Sequence, residues 1–261
     1  MATTPLRYHG TALVTGASAG LGEHFAEFLA RNGMNLIVTA RRAEALDELA
    51  TRLRDRYGVQ VTVLPADLAD RDDRQRLIAE ILASGVTVTG LVNNAGFGYI
   101  GDFADQPTDN ALDLIEVNVA ALTHLTRAFL SGMLANGDAF IINVSSTAAY
   151  QPIPSWAVYA AAKAYVLHFT EALWDELRDT SVRVIAISPG PTKTAFFVNA
   201  GDPGAMRPRR RTPEQVVQTT FRALQRHKPS VIDGVFNAVQ AIAARMAPRR
   251  LALPIAEKAV E

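Results

Sequence analysis

The sequence predicts an α/β protein, a doubly wound parallel sheet of about seven strands flanked by helices. Three observations predict it. Short apolar, β-branched runs alternate with longer segments of helical period almost to the end of the chain. Several runs, NLIVTA and AFIINVSS among them, are continuously apolar rather than alternating, as strands buried on both faces should be. The first run stops at three glycines within seven residues, and an amphipathic run begins there.

In chain order, strands are expected at 11–16 (TALVTG), 35–40 (NLIVTA), 59–67 (VQVTVLPAD), 90–96 (GLVNNAG), 139–146 (AFIINVSS), 182–190 (VRVIAISPG) and 230–233 (SVID). Helical segments are expected at 21–31, 43–56, 70–83, 108–135, 155–179 and 213–226. Neither an internal repeat nor a linker divides the chain, so residues 1–261 read as a single domain of the Rossmann type. Two segments break the alternation. Residues 195–211, AFFVNAGDPGAMRPRRR, are too long for a plain connector and read as a substrate-side loop or lid. Residues 234–261 read as a C-terminal extension, apolar but interrupted by Arg245, Pro248, Arg249, Arg250 and Pro254.

Hydrophobic residues make up 49% of the 261 and charged residues 20%, enough for a substantial core and too apolar for disorder. Net charge is +0, which removes bulk attraction to nucleic acid. The balance conceals an asymmetry: from Ala200 onward there are eleven Lys/Arg against five Asp/Glu. The absence of cysteine excludes disulfides, Cys-based zinc sites and thiol catalysis, and no metal site is expected. MATTPLRYHG lacks the apolar core of a signal peptide, and no apolar run reaches the ~18 residues of a membrane span, so the expectation is a cytoplasmic protein.

The glycine turn supports two chemistries. Gly16-Ala17-Ser18-Ala19-Gly20 reads as G-x-S-x-G, the nucleophile elbow of serine hydrolases with Ser18 as nucleophile. Extended to Gly22, it reads as a turn that sets a phosphate against a helix N-terminus: Gly16 for the tight exit, Gly20 for close approach of backbone, Gly22 for helix–sheet packing. Position favours the second reading, since an elbow follows several strands and this turn follows the first. The histidines at 9, 24, 124, 168 and 227 also miss the strand ends where a triad partner would stand.

YAAAK, Tyr159 to Lys163, puts a phenol and an ammonium four residues apart on one helix face. A phenol beside a cation can serve as a general acid/base, because the cation stabilises phenolate. Together TGASAGLG, NNAG (93–96), NVSS (143–146), YAAAK and PGPTKT (189–194) resemble, in order and spacing, the motifs of the short-chain dehydrogenase/reductase superfamily, in its single-domain branch of about 250 residues. The resemblance covers residues 10 to about 195 and implies a hydride-transferring oxidoreductase, a carbonyl reductase or alcohol dehydrogenase. It implies Tyr159 as proton donor, Lys163 on the nicotinamide ribose and lowering the Tyr159 pKa, Ser146 on the substrate carbonyl oxygen, and Asn118 in a proton relay; Ser145 would be structural. Cofactor contacts are implied for Gly16, Ser18, Gly20, Leu21 and Gly22, for Asp67, Asn94 and Gly96 on the adenosine side, and for Pro189, Gly190, Thr192 and Thr194 near the nicotinamide. It also implies a homodimer or homotetramer formed through the helices at 108–135 and 155–179.

At the end of the second strand, where an NAD enzyme offers a carboxylate, the chain has Ala40 and then Arg41. A guanidinium there suits a 2′-phosphate, so NADP(H) is expected over NAD(H). Arg42 reads as a solvated charge at a helix start, and Ala19 departs from the relatives that place a second basic residue within the turn. The substrate walls hold Phe97, Tyr99, Tyr150, Trp156, Phe196 and Phe197, an aromatic set that suits a hydrophobic ketone or aldehyde. The basic tail admits an anionic carrier such as coenzyme A, an anionic membrane surface, or a helix packed on a subunit neighbour; the last is the plainest. A dinucleotide-binding regulator without turnover stays open as the alternative to an enzyme.

Overall fold

The computed structural model describes residues 8–194, 196, 200, 201, 211–248, 250, 253, 254 and 256. Seven parallel strands form one sheet in the order β3-β2-β1-β4-β5-β6-β7. They are β1 (Thr11–Thr15), β2 (Asn35–Thr39), β3 (Val61–Val63), β4 (Val88–Asn93), β5 (Phe140–Val144), β6 (Arg183–Ser188) and β7 (Ser230–Ile232). The chain runs outward from β1 to β3, then returns to the middle at β4 and runs outward the other way. The reversal opens a crevice beyond the carboxyl ends of β1 and β4, where ligands bind in sheets of this kind.

Alternate strand residues face opposite layers. Ala12, Val14, Leu36, Val38 and Ile142 pack with helices α1 (Gly20–Arg31), α2 (Ala43–Tyr57) and α7 (Pro213–Gln225). Leu13, Ile37, Leu91 and Ile141 pack on the opposite face with α3 (Arg71–Ala83), α5 (Leu122–Asn136) and α6 (Ala157–Glu176). Continuous apolar runs follow from covering both faces. On the first layer the Phe221 ring stacks on Phe28, 4.0 Å apart at 11°, and meets Phe25 and Phe140 edge-on. That cluster fixes α7 and α1 to the sheet.

The boundaries differ most from the expectation in three places. β3 is only three residues long, although Leu64 and Ala66 N–H still donate to the Val38 and Ala40 carbonyls at 3.1 and 3.2 Å beyond its end. β4 begins two residues early and ends at Asn93, leaving Asn94–Gly96 as loop. The helix expected at 108–135 is α4 (Thr108–Ile115), a π-helical turn at Glu116–Ala121, and α5. The C-terminal extension contains an ordered helix, α8 (Val235–Met246).

Phe221→Ala removes the hub of the aromatic cluster and is expected to cost about 3–5 kcal/mol. Urea denaturation followed by circular dichroism reads this as a lower midpoint at unchanged slope.

Candidate active site

The end of β1 builds the first part of the site. Gly16 has φ +64°, in the left-handed region, and turns the chain sharply. A Cβ on Gly22 would stand 2.2 Å from the Gly16 carbonyl oxygen, so only glycine lets α1 begin this close to the strand. The Thr15 hydroxyl accepts from the backbone N–H groups of Asn94 and Ala95 at 3.0 and 2.9 Å. Asn94 in turn donates its amide to the carbonyls of Thr15 and Gly16. Its side chain thus braces the turn. The N-cap of α1 is Ala19, which offers no side chain to the first N–H groups, and those donors are left for an anion. Leu21 packs partly buried against the core, and Thr194 comes within 3.2 Å of a Cβ placed on Gly20.

The second part forms where β5, the π-turn and α6 converge. The π-turn rotates Asn118 inward, and its amide donates to the carbonyls of Phe97 and Leu114, both at 3.0 Å. Its buried Oδ1 has no hydrogen-bond partner among the described residues. A Cβ on Gly96 would lie 2.6 Å from that oxygen and 3.2 Å from Lys163 Nζ, so Gly96 is the floor between them. Lys163 Nζ donates to the Val144 carbonyl at 3.0 Å and stands 5.7 Å from the centre of the Tyr159 ring. Ser146 caps the short 3-10 turn Thr147–Tyr150 by accepting from Ala148 N–H at 3.1 Å, and its hydroxyl lies close enough to the Tyr159 phenol to lower its pKa. Ser145 donates to the Lys163 carbonyl at 2.8 Å, the structural part expected of it. Asn118, Ser146, Tyr159 and Lys163 are therefore brought together.

Burial governs their protonation. Tyr159 is 5% exposed and Lys163 4%. Desolvation pushes the phenol up to about 12, against a smaller lowering by Ser146. Desolvation pulls the lysine down to about 7. The expected lowering of Tyr159 by Lys163 is not the dominant effect in the protein by itself, because loss of water outweighs a cation held off by the Val144 carbonyl.

The third part is the stretch 189–194. Thr147 N–H donates to the Pro189 carbonyl at 3.0 Å, and Thr192 donates its hydroxyl to the Gly190 carbonyl at 2.9 Å. Thr194 accepts from Phe196 N–H at 3.4 Å. Three residues that sequence reasoning missed hold this stretch. The fully buried Asp233 takes a forked pair from Arg211, Nε at 2.8 Å and Nη2 at 3.0 Å, and accepts from Thr219 at 2.6 Å. Arg211 bridges backbone to backbone with Pro191 and Lys193. Asn237 of α8 lies directly on Gly190, where a Cβ would meet its amide at 2.3 Å. The one available signal was an aspartate ending a strand.

Asp67, expected on the adenosine side, accepts from Ala69 N–H at 3.0 Å and lies beyond β3. Arg41 is exposed and bonds none of the described residues. Arg42 is exposed at the start of α2, as expected, and also reaches the glycine turn, where it donates to the Ser18 carbonyl and hydroxyl, both at 3.3 Å. Ser18 thus meets an arginine, while His24 engages the Gly20 carbonyl and Glu214, both at 2.7 Å. Nothing there builds a hydrolase triad.

Of the aromatic wall, Trp156 lies 4.5 Å and Phe196 5.5 Å from the Tyr159 ring, with Phe97 packed against the same cluster. Tyr99 stands near Gly101. Tyr150 departs from the set: it packs with Ala149, Leu167 and Ala186 and reaches Ser188 at 3.5 Å. Phe197 lies outside the described residues. A cavity of about 620 Å³ opens between Tyr150–Pro154, α6 and Arg245, on the side of α6 away from Tyr159.

A parallel sheet with a switch-point crevice, an uncapped helix N-terminus behind a glycine turn, and an orphaned amide oxygen over a glycine floor define a fold of the dinucleotide-binding class. Comparison with known proteins narrows the class. Residues 10–203 match the family described as short chain dehydrogenase. The chain is 35% identical over 182 residues to the very-long-chain 3-oxoacyl-CoA reductase of Anas platyrhynchos, covering 68% of this chain and 58% of that one. It is 38% identical over 202 residues to sulfoacetaldehyde reductase 2 of Chromohalobacter salexigens, covering 74% and 77%. A short-chain dehydrogenase from Sphingobium yanoikuyae in complex with NADPH superposes with a TM-score of 0.83 at 32% identity, covering 90% of this chain and 91% of that one. The chain belongs to the short-chain dehydrogenase/reductase family. It spans about three-fifths of the length of the first of these relatives.

Lys163 bears on stability directly. Its folded pKa of about 7 lies below the ordinary 10.5, so between those values the unfolded chain binds more protons and stability rises with pH. Denaturant titrations of the cofactor-free protein across that window are expected to show the rise, and Lys163→Met to lose it.

Proposed function

We infer that the protein is an NADP(H)-dependent oxidoreductase that interconverts the carbonyl and secondary alcohol of a hydrophobic substrate, with Tyr159 as general acid/base. The observation that carries this reading is the convergence of Asn118, Ser146, Tyr159 and Lys163 around the Gly96 floor. A nicotinamide dinucleotide, when bound, supplies the hydride. The turn Gly16–Gly22 would hold its pyrophosphate, Lys163 the ribose hydroxyls, and Thr192 and Thr194 the carboxamide end.

The remaining chemistry belongs to the chain. Ser146 offers its hydroxyl to the substrate oxygen and stabilises negative charge as it develops. Tyr159, held neutral by burial, gives its phenolic proton to that oxygen during reduction, and a phenol pushed up to about 12 is well kept as an acid at neutral pH. Asn118 Oδ1, unsatisfied and close to the Lys163 ammonium, suits a water that resupplies the proton. Trp156, Phe196 and Phe97 give the cleft an apolar wall, which favours a hydrophobic substrate.

The preference for NADP(H) rests on Arg42 together with Arg41. Arg42 already spans to Ser18, so a guanidinium and a hydroxyl face the place where a 2′-phosphate would lie. This arrangement supplies a cation at the turn that Ala19 does not.

Oxidation of NADPH with mixed pools of ketones, aldehydes and 3-ketoacyl thioesters tests the reading. Turnover is expected in at least one pool, with Tyr159→Phe slowing it about 100-fold or more. Binding of NADPH without turnover in any pool would favour the regulator instead. Arg42→Ala is expected to raise the KM for NADPH about tenfold while leaving that for NADH unchanged, the loss of one charge-assisted contact. Equal effects on both cofactors would remove Arg42 from the 2′-phosphate.

A further inference from the structure

We propose that the outer face of α8 docks on an anionic lipid surface. α8 turns only Asn237 and Ala241 fully inward. A surface helix ordinarily shows its polar side to water. α8 does the reverse: Val235 is 83% exposed, Val239 62%, Ile242 53% and Met246 81%. At about 100° per residue these four side chains fall within an arc of roughly 60° and form one apolar ridge. A continuous ridge of this kind marks a contact surface rather than a bare one.

The charges beside the ridge select its occupant. From Gly234 to Ala256 the sequence contains no Asp or Glu and has three arginines, Arg245, Arg249 and Arg250. Arg245 and Arg250 are exposed. Arg245 stands about a quarter of a turn from the ridge. A twofold contact between two copies of this face would bring arginine toward arginine, with no carboxylate in the segment to answer it. A lipid surface satisfies both features at once, with the ridge at the acyl boundary and the guanidinium groups on phosphates.

The helix would lie along the surface, because its 12 residues reach only about 18 Å, short of the ~30 Å hydrocarbon core. No helix among the described residues is long and apolar enough to cross a membrane. The start of α8 is tied to the sheet through Asp233: the Asn237 amide donates to the Asp233 carbonyl at 2.7 Å, and Asp233 N–H donates to the Ser188 carbonyl of β6 at 3.1 Å. Docking would therefore orient the whole fold, with the 189–194 stretch one helix away from the lipid.

Co-sedimentation of the full chain with phosphatidylcholine vesicles, with and without phosphatidylglycerol, tests the proposal. The control is Val239→Glu/Ile242→Glu, two exposed sites whose substitution leaves the core alone, checked by thermal melting. Binding is expected only with phosphatidylglycerol, and is expected to drop about tenfold or more in the double variant and at high salt. Light scattering should show the same oligomeric state for both proteins. Absence of binding, equal binding to both vesicles, or binding unaffected by the double variant would overturn the proposal. So would a double variant that shifts the oligomer to a smaller species, since the ridge would then belong to a second copy of the chain.

Discussion

The contact on which the rest of the structure depends is the approach of Gly22 to the carbonyl of Gly16, where a single added carbon would sit 2.2 Å from backbone oxygen. It lets α1 start at the very end of β1, with its free N–H groups aimed into the switch-point crevice. The surrounding structure maintains the approach. Thr15 and Asn94 tie the turn to β4, and Phe25 and Phe28 carry the tie through Phe221 to α7. A core of ordinary apolar packing thereby serves a site of backbone polar groups.

The second constraint is electrostatic. Placing a lysine and a tyrosine in a nearly dry pocket drives both toward their neutral forms, since burial opposes charge of either sign. The pocket tolerates this because its polar groups are partnered from the sides: Ser145 on the Lys163 carbonyl, Val144 on its ammonium, and a ladder from Asn93 through Asn143 to Thr170 beneath. Asn118 Oδ1 has no partner among the described residues and lies over the Gly96 floor beside Lys163; Asn93 Oδ1 in the ladder beneath also lacks one.

Much of this was legible in the sequence. Continuous apolar runs betray strands covered on both faces, and every expected strand is present. The glycine turn, NVSS and YAAAK are local patterns with local causes, and they converge as their spacing implies. What was hidden depends on partners distant in sequence. Nothing near Arg42 announces that its guanidinium crosses to Ser18, and nothing near Asp233 announces a fork from Arg211. Tyr150 was grouped with the substrate wall because it lies between Ser146 and Tyr159, yet the 3-10 turn rotates it to the other side of α6. The π-turn at Glu116–Ala121 was invisible because its residues are ordinary helix formers. Burial sets the pKa values, and burial is a tertiary property.

The central claim is that the Gly16–Gly22 turn seats a nicotinamide dinucleotide. Calorimetric titration of NADPH into the wild-type chain and Gly22→Ala, both shown by circular dichroism to be folded, tests it most directly. The account predicts saturable binding to the wild type and a loss of at least about tenfold in affinity when α1 is pushed off the strand. A folded Gly22→Ala protein that binds NADPH as tightly as the wild type would contradict it.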